Sequence, residues 1–550
     1  MAAPHPGKWE IVLEDFQCID PDPEKVRRSV LDTEKTAMHA LIIYNPAPVR
    51  KWKVLYFIAG SRDSSGYVTS RIWDPSPPQG VSPISSQLIP NWDNDPSTEA
   101  PALLCCGHSR LADEKILFAG GIRPFPPPPK PPIARGLWYT YIFNPVNEQW
   151  SIPGPTGNPH AMADGRFYPT LTTLGTKPDG QLSNQVIAMS GRRKDLVGGN
   201  PVVNKDPEIY HPNVGWRFMR NQTVPQPDAQ QPFDDLYTGA HLIPFGSNAG
   251  KIFYSMPMTQ AQIFNPFFDG PPNGGFWTAV GQNRSTYRYA GNSVLLPLLP
   301  SSTSAKVLIL GGGNEPNGGQ PGSNSAEIID ISSGFTWEPA NPMFFARRNS
   351  NAVILPDDTI LVVGGNNKDE HDEPVYTAEK FDPATGDWTL LPAMNIYRTY
   401  HSVAILLPDG RVWASGTTHP GQVAENWQNN IEIHSPGYLF EGTRPEILSA
   451  PDNITYGSLF GIDVSLPITG IRLIRLGSVT HATDMDQRSV GLTFTPGQPN
   501  GTNPYTVNAP ANANIAPPGY YMLFALRDKQ YSLSGQTMIP SVAKIVKLGS

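Results

Sequence analysis

ILVVGG at residues 360–365, followed by KFDPATGDW at 380–388, is one copy of a pattern that recurs along the chain and decides the fold. The apolar run reads as a half-buried strand ended by two small residues, and the aromatic-Pro-turn element closes on a tryptophan able to cover a neighbouring sheet. Working backward, the same pairing appears as VLILGGG (307–313) with IIDISSGFTW (328–337), then KIFYSMP (251–257) with IFNPFFDGPPNGGFW (263–277). Earlier copies are VIAMSG (186–191) with IYHPNVGW (209–216), ILFAGG (116–121) with YIFNPVNEQW (141–150), and VLYFIAG (54–60) with IWDP (72–75). Working forward, RVWASG (411–416) pairs with IEIHSPGYLF (431–440). That makes seven.

Copies spaced by roughly fifty residues and up match kelch-type blades, each a four-stranded sheet, around a central channel. The expected fold class is therefore all-β, with a seven-bladed propeller over residues 1–440. The competing arrangement is a large β-sandwich with coincidental Gly-Gly pairs. WEIVLED (9–15) is expected to return as a strand in the last blade and close the ring. RPFPPPPKPP (123–132) cannot enter a ladder and reads as a stiff polyproline loop within the second blade.

After Phe440 the pattern changes. TRPEILSAP (443–451), LFGIDVSLP (459–467), GIRLIRLG (470–477), VGLTFTPG (490–497), GYYMLFALRD (519–528) and SVAKIVKLG (541–549) are short alternating strands without the blade signature. Residues 441–550 are expected to form an immunoglobulin-like β-sandwich, although the Cys-Trp-Cys pattern of antibody domains is missing.

Composition bounds the function classes. A 550-residue chain is too long for one ordinary core. Its 41 basic and 48 acidic residues give a net charge of −7 without long runs of either sign, so no basic stripe for nucleic acid is built. Sixty Pro and fifty Gly beside 39% hydrophobic residues read as many short strands and turns, not disorder. The three cysteines are Cys18, Cys105 and Cys106; the adjacent pair is too close for an unstrained disulfide, so no disulfide framework is expected. No run of eighteen apolar residues reads as a membrane span. MAAPHPGKWEIVLEDF carries no signal-peptide pattern, and sequons stand at Asn221, Asn283, Asn453 and Asn500. A mature secreted protein, monomeric, is expected; an intracellular one is the alternative.

Four segments carry candidate chemistry. Tyr400 and His401 adjoin in IYRTYHSVAILLPDGRV, and His481 sits in LGSVTHATDMDQRSVGL. Phenolate and two imidazoles suit copper(II), which favours tetragonal N and O ligands. Successive strand side chains face opposite ways, so Tyr400 and His401 can share a metal only at an irregular strand start. A lone histidine in a β-protein is more often a hydrogen-bonded core or surface residue. Cys105 lies in LLCCGH and Tyr168 in GRFYPTLTTL. Cys105 and Cys106 point to opposite faces, and for Tyr168 the bland role is packing between blades.

Together, and in this order, these segments resemble the galactose oxidase and glyoxal oxidase family of copper radical oxidases, nearest the glyoxal oxidase branch. The resemblance covers nearly the whole chain but lacks the amino-terminal carbohydrate-binding domain of galactose oxidase. It implies one copper ion held by Tyr168, Tyr400, His401 and His481, and a Cys105–Tyr168 thioether that carries a radical. Tyr400 would be the axial phenolate and general base. The implied activity is oxidation of small aldehydes such as glyoxal or methylglyoxal, as hydrates, to acids, with O2 reduced to H2O2. A primary-alcohol oxidase on the same cofactor is the near alternative, and a non-catalytic kelch binding platform is the distant one.

One departure concerns the substrate side. Galactose oxidase stacks a Trp over its thioether from the loop after the third-blade glycines; here that loop reads SGRRKDLVGG (190–199), with Arg192, Arg193 and Lys194 and no aromatic. A solvated basic loop is expected there, with arginine stacking on the tyrosine as the alternative. Trp138 and Phe125 are further candidates to lean over the site.

Overall fold

A computed structural model describes residues 4–13, 37–46, 48–57, 68–79, 81–90, 103–123, 135–155, 159–193, 202–204, 206–219, 237–255, 259–267, 276–281, 284, 286–313, 321–368, 372–417, 428, 430–499 and 504–549. The proline run, Phe125, Lys194, Cys18 and the sequons at Asn221, Asn283 and Asn500 lie outside them.

Seven four-stranded antiparallel blades follow the repeat. Blade 1 spans strands between His39 and Ile89, blade 2 Gly107–Ser151, blade 3 Thr170–Phe218 and blade 4 Ala240–Ala279. Blade 5 spans Asn292–Ala340, blade 6 Asn351–Ala393, and blade 7 Ser402–Ser435. Blade 7 takes its outer strand from the amino terminus: Lys8–Leu13 pairs antiparallel with Ile431–Ser435, placing Trp9 opposite His434. The amino-terminal strand thus completes the last blade by backbone hydrogen bonds.

An arginine device that sequence inspection missed repeats in four blades. Each inner strand is preceded by a buried arginine whose guanidinium donates to a carbonyl at the end of the second strand: Arg166 to Ser190, Arg288 to Gly311, Arg347 to Gly364 and Arg398 to Gly416, all at 2.8–2.9 Å. The same arginines pair with third-strand carboxylates, Glu208, Glu327, Glu379 and Glu432 respectively. Four of the small-residue dyads thus provide carbonyls that a buried cation needs.

Beyond blade 7, two sheets face each other. One contains Ile447–Ser449, Leu459–Val464, Tyr505–Asn508 and Phe494–Thr495; the other contains Asn453–Ile454, Lys544–Leu548, Gly519–Arg527, Gly470–Arg475 and Ser489–Gly491. Ile462, Val464 and Val507 from one sheet pack with Ile471, Leu473, Leu523 and Val546 from the other. The same cluster continues into Phe253, Val307 and Ile309, so the sandwich sits against blades 4 and 5. We propose the domain boundary at 440/441, between the last blade strand and this sandwich.

One sandwich segment leaves its own sheets. Ser478–Thr480 pairs antiparallel with His39–Leu41, the inner strand of blade 1, and Thr483–Asp484 pairs onto it. This hairpin lies along the propeller axis and carries His481 at its tip.

Candidate metal centre

Blade entry geometry positions the site. Cys105, Tyr168, Ala290, Asn349 and His401 each adopt a left-handed backbone, with φ of 59°, 69°, 53°, 55° and 65°, one or two residues before the inner strands of blades 2, 3, 5, 6 and 7. A non-glycine residue held there stores roughly 1–3 kcal/mol, and such strain clusters at working sites. In blades 3, 5 and 6 the left-handed residue is the second after the buried arginine; in blade 7 it is the third, Arg398 to His401. That extra residue lets neighbouring Tyr400 and His401 share one site, with ring centroids 3.7 Å apart. His481, on the hairpin tip, is also left-handed at 47°.

These residues converge. The hydroxyls of Tyr168 and Tyr400 lie 2.5 Å apart. Cys105 Sγ is 3.2 Å from His481 Nε2. The donor atoms of Cys105, His401 and His481 all fall within 4.8 Å of one another. The His401 and His481 rings meet edge to face at 4.5 Å, and His481 meets Tyr168 at 5.2 Å. Tyr168 N donates to Cys105 O at 3.1 Å, and the thiol lies within hydrogen-bonding reach of the phenol.

The imidazole of His481 has an assigned direction. Thr480 donates its hydroxyl proton to Met38 O at 2.9 Å, so its oxygen accepts from His481 Nδ1 at 2.7 Å. Nε2 is thereby left as the lone-pair nitrogen turned toward Cys105. Burial, then the neighbouring His401 and His108, holds the His481 pKa well below the usual imidazole range, so the ring is neutral. Beneath it, His39 Nδ1 lies 3.1 Å from His108 Nε2, and His108 Nδ1 lies 2.6 Å from Ser478 Oγ. Burial also drives the Cys105 thiol and the Tyr168 phenol well above their ordinary pKa values.

Two aromatic neighbours escaped sequence inspection. Phe167 lies against Tyr168 with ring centroids 3.9 Å apart and planes 39° apart. Tyr237, from blade 4, approaches Tyr168 at 5.4 Å and His481 at 5.0 Å, and donates its hydroxyl proton to Cys106 O at 2.8 Å. The signal for Phe167 was its place directly before Tyr168; Tyr237 carried none, because no spacing rule reaches from blade 4 to the axis. The two described residues of the expected solvated basic loop, Arg192 and Arg193, are partly exposed and also make contacts. Arg192 lies over the Phe167 ring at 5.8 Å, and Arg193 pairs with Asp164. Trp138 packs against a hydrophobic cluster built from blades 2 and 3 that includes Leu117 and Leu171. Among the described residues, Cys105 and Cys106 are free and buried.

Comparison with known proteins bears on this arrangement. The family model for the glyoxal oxidase N-terminus matches residues 156–436, and that for the galactose oxidase-like early set domain matches 444–548. The chain belongs to the galactose oxidase and glyoxal oxidase family. Among relatives, a galactose oxidase of Gibberella zeae is 28% identical over 501 residues, covering 88% of this chain and 64% of its own. This family member therefore spans less than two thirds of that relative. An aldehyde oxidase GLOX of Vitis pseudoreticulata is 29% identical over 421 residues, covering 70% of this chain and 72% of its own. A solved structure described as a novel fungal alcohol oxidase with catalytic diversity among the AA5 family, in complex with copper, superposes with a TM-score of 0.72. It covers 99% of this chain and 100% of its own at 21% identity, a likeness of fold.

Proposed function

We propose that this protein is a copper radical oxidase that converts small aldehydes of the glyoxal and methylglyoxal type, as hydrates, into carboxylic acids while reducing O2 to H2O2. The observation that carries this is the meeting of Tyr168 with Tyr400, and of Cys105 with His481, around one buried point at the propeller axis.

The donor set fits copper. Two phenols in mutual contact and two imidazoles offer the N and O ligands that a tetragonal cupric ion prefers. A neutral His481 with its free lone pair toward the site is ready to bind a metal, and a bound divalent cation would offset the burial that holds the Tyr168 phenol well above its ordinary pKa. Tyr168, Tyr400, His401 and His481 would hold the ion. Bound copper would supply one oxidising equivalent and a site for oxygen, the Tyr168 radical the other.

The chain's own residues then divide the work. Cys105, beside the Tyr168 phenol and clamped to it through the backbone, would form the thioether that spreads unpaired spin onto sulfur. Tyr400 would take the substrate hydroxyl proton as general base. Tyr168 would take the hydrogen atom from the substrate carbon. One hydrate and one O2 thus give one acid and one H2O2. The fold contributes position and burial, while the redox chemistry belongs to the cofactor. We take the enzyme to act outside the cell as a monomer, with a small-molecule substrate and O2 as its partners.

The galactose oxidase match covers more of this chain than the aldehyde oxidase match, which favours a primary-alcohol oxidase as the second reading. Copper-loaded protein assayed for peroxide on methylglyoxal, glyoxal, galactose and benzyl alcohol separates the two. Activity on alcohols alone overturns the aldehyde assignment. Unchanged intact mass after copper loading in air, with no copper retained, overturns the oxidase and leaves a binding propeller; a loss of about two hydrogens supports the thioether.

A further inference from the structure

We propose that Arg192, acting through the ring of Phe167, raises the one-electron potential of Tyr168 and so widens the range of substrates the centre can oxidise, a role that rests on Tyr168 being the radical residue. Both Arg192 and Tyr168 touch Phe167, the Tyr168 ring tilted by 39° against it. Tyr168 meets Phe167 at 3.9 Å, and the Arg192 guanidinium carbon lies 5.8 Å from the Phe167 centroid. Phe167 is 6% exposed, so water is largely kept from between ring and ring.

This arrangement is pinned at both ends. Phe167 N donates to Arg192 O at 2.9 Å and Arg192 N donates to Phe167 O at 2.8 Å, a closed backbone bridge that fixes which residue sits over which. Gly191 permits this approach: at φ +90° its position would bring a Cβ within 2.9 Å of Phe167 O. Arg166, directly before Phe167, is tied to Ser190 and Glu208. The next cation along, Arg193, is committed to Asp164.

The charge argument gives a sign. Oxidation takes one electron from the metal-bound Tyr168 phenolate, which has no proton to lose, and passes it to an outer one-electron oxidant. The phenolate goes from negative to neutral. The Arg192 guanidinium, a partly exposed cation over the Phe167 ring, favours the negative form. Loss of the electron becomes harder, and the radical, once made, pulls harder on a substrate hydrogen. A cation over an aromatic face is also held by the ring quadrupole, which keeps Arg192 in place. Arg192 is thus a positioning residue for potential, not a group that touches substrate.

Redox titration of the copper-loaded, air-processed protein, followed by the radical's visible absorbance, tests this on wild type, Arg192→Gln, Arg192→Lys and Phe167→Leu. The midpoint should fall in Arg192→Gln and in Phe167→Leu, and return toward wild type in Arg192→Lys, with the two-hydrogen mass loss unchanged in both Arg192 variants. In Arg192→Gln, kcat should fall with KM little altered. A midpoint in Arg192→Gln equal to wild type, or an equal fall in Arg192→Lys, overturns the proposal while leaving the oxidase reading intact. A wild-type protein with neither mass loss nor radical absorbance overturns the oxidase reading itself.

Discussion

The hydroxyl oxygens of Tyr168 and Tyr400, 232 positions apart in sequence, lie 2.5 Å apart at the propeller axis. One comes from the entrance to blade 3 and the other from the entrance to blade 7, so closure of the ring is what brings them together. Burial and the partner hydroxyl both oppose ionisation of Tyr168. A divalent cation held by these side chains would offset that opposition, which is the role proposed for copper.

Tyr400→Phe tests the division of labour. The phenol at 168 and the thiol at 105 remain, so the mass loss on copper loading in air should persist. Turnover should drop by about 10²–10⁴-fold, the range for loss of a general base. Stopped assays of peroxide, paired with intact mass, separate the two effects.

Thr480→Val tests how His481 is aimed. The hydroxyl receives the Nδ1 proton and anchors itself on Met38 O. Without it the ring loses its fixed tautomer, and copper affinity should fall by about 10–100-fold, as for other partners of ligating histidines. Competition against a chelator of known affinity measures this, with His481→Ala as the full-loss reference.

The blades, the closing strand and the four site segments were legible in the sequence because each rests on local pattern. Alternating strands, glycine pairs and tryptophan-closed turns repeat within a short span, and Tyr400-His401 stand side by side. What could not be read arises from long-range placement. The Arg347–Glu379 type of pair joins residues 32 positions apart at a spacing that varies between blades. Tyr237 reaches the site only because seven blades share an axis. The left-handed backbone at Cys105, Tyr168 and His401 is imposed by packing on residues that do not choose it themselves. Phe167 stood in plain view, yet in a strand its side chain would have faced away from Tyr168; only the strained turn brings the two rings together.

Glu379→Ala should be among the most damaging changes far from the site. Its carboxylate is fully buried, pairs with Arg347 at 2.7 Å, and also accepts from the backbone N–H groups of Phe344 and Phe345. Removing one member leaves a buried cation without its partner, at a cost of about 3–5 kcal/mol. Denaturant unfolding of Glu379→Ala, Arg347→Met and the double variant should show the double costing less than the sum of the two singles.

Glu114 should contribute a stability term that falls as pH rises from about 4.5 to about 7, set against the opposite trend of buried histidines such as His108 and His241, whose pKa burial lowers to about 3. Its carboxyl is buried beside the sandwich, and desolvation raises its pKa from 4.5 to about 7 against the opposing pull of Arg110, Lys547 and Arg475. The folded state therefore binds a proton that the unfolded state has released across that window. Unfolding loses protons there, so raising pH favours the unfolded chain. A shift of this size corresponds to about 3 kcal/mol, fully lost once pH passes the folded pKa. Asp484, pushed up to about 6 mainly by burial, adds in the same direction. Glu114→Gln keeps the shape and the acceptor for Tyr520 N while abolishing the titration. Melting curves from pH 4.5 to 8 should therefore show a gain of the variant over wild type that grows with pH and levels off above pH 7; a difference that stays constant across that range would assign no such titration to Glu114.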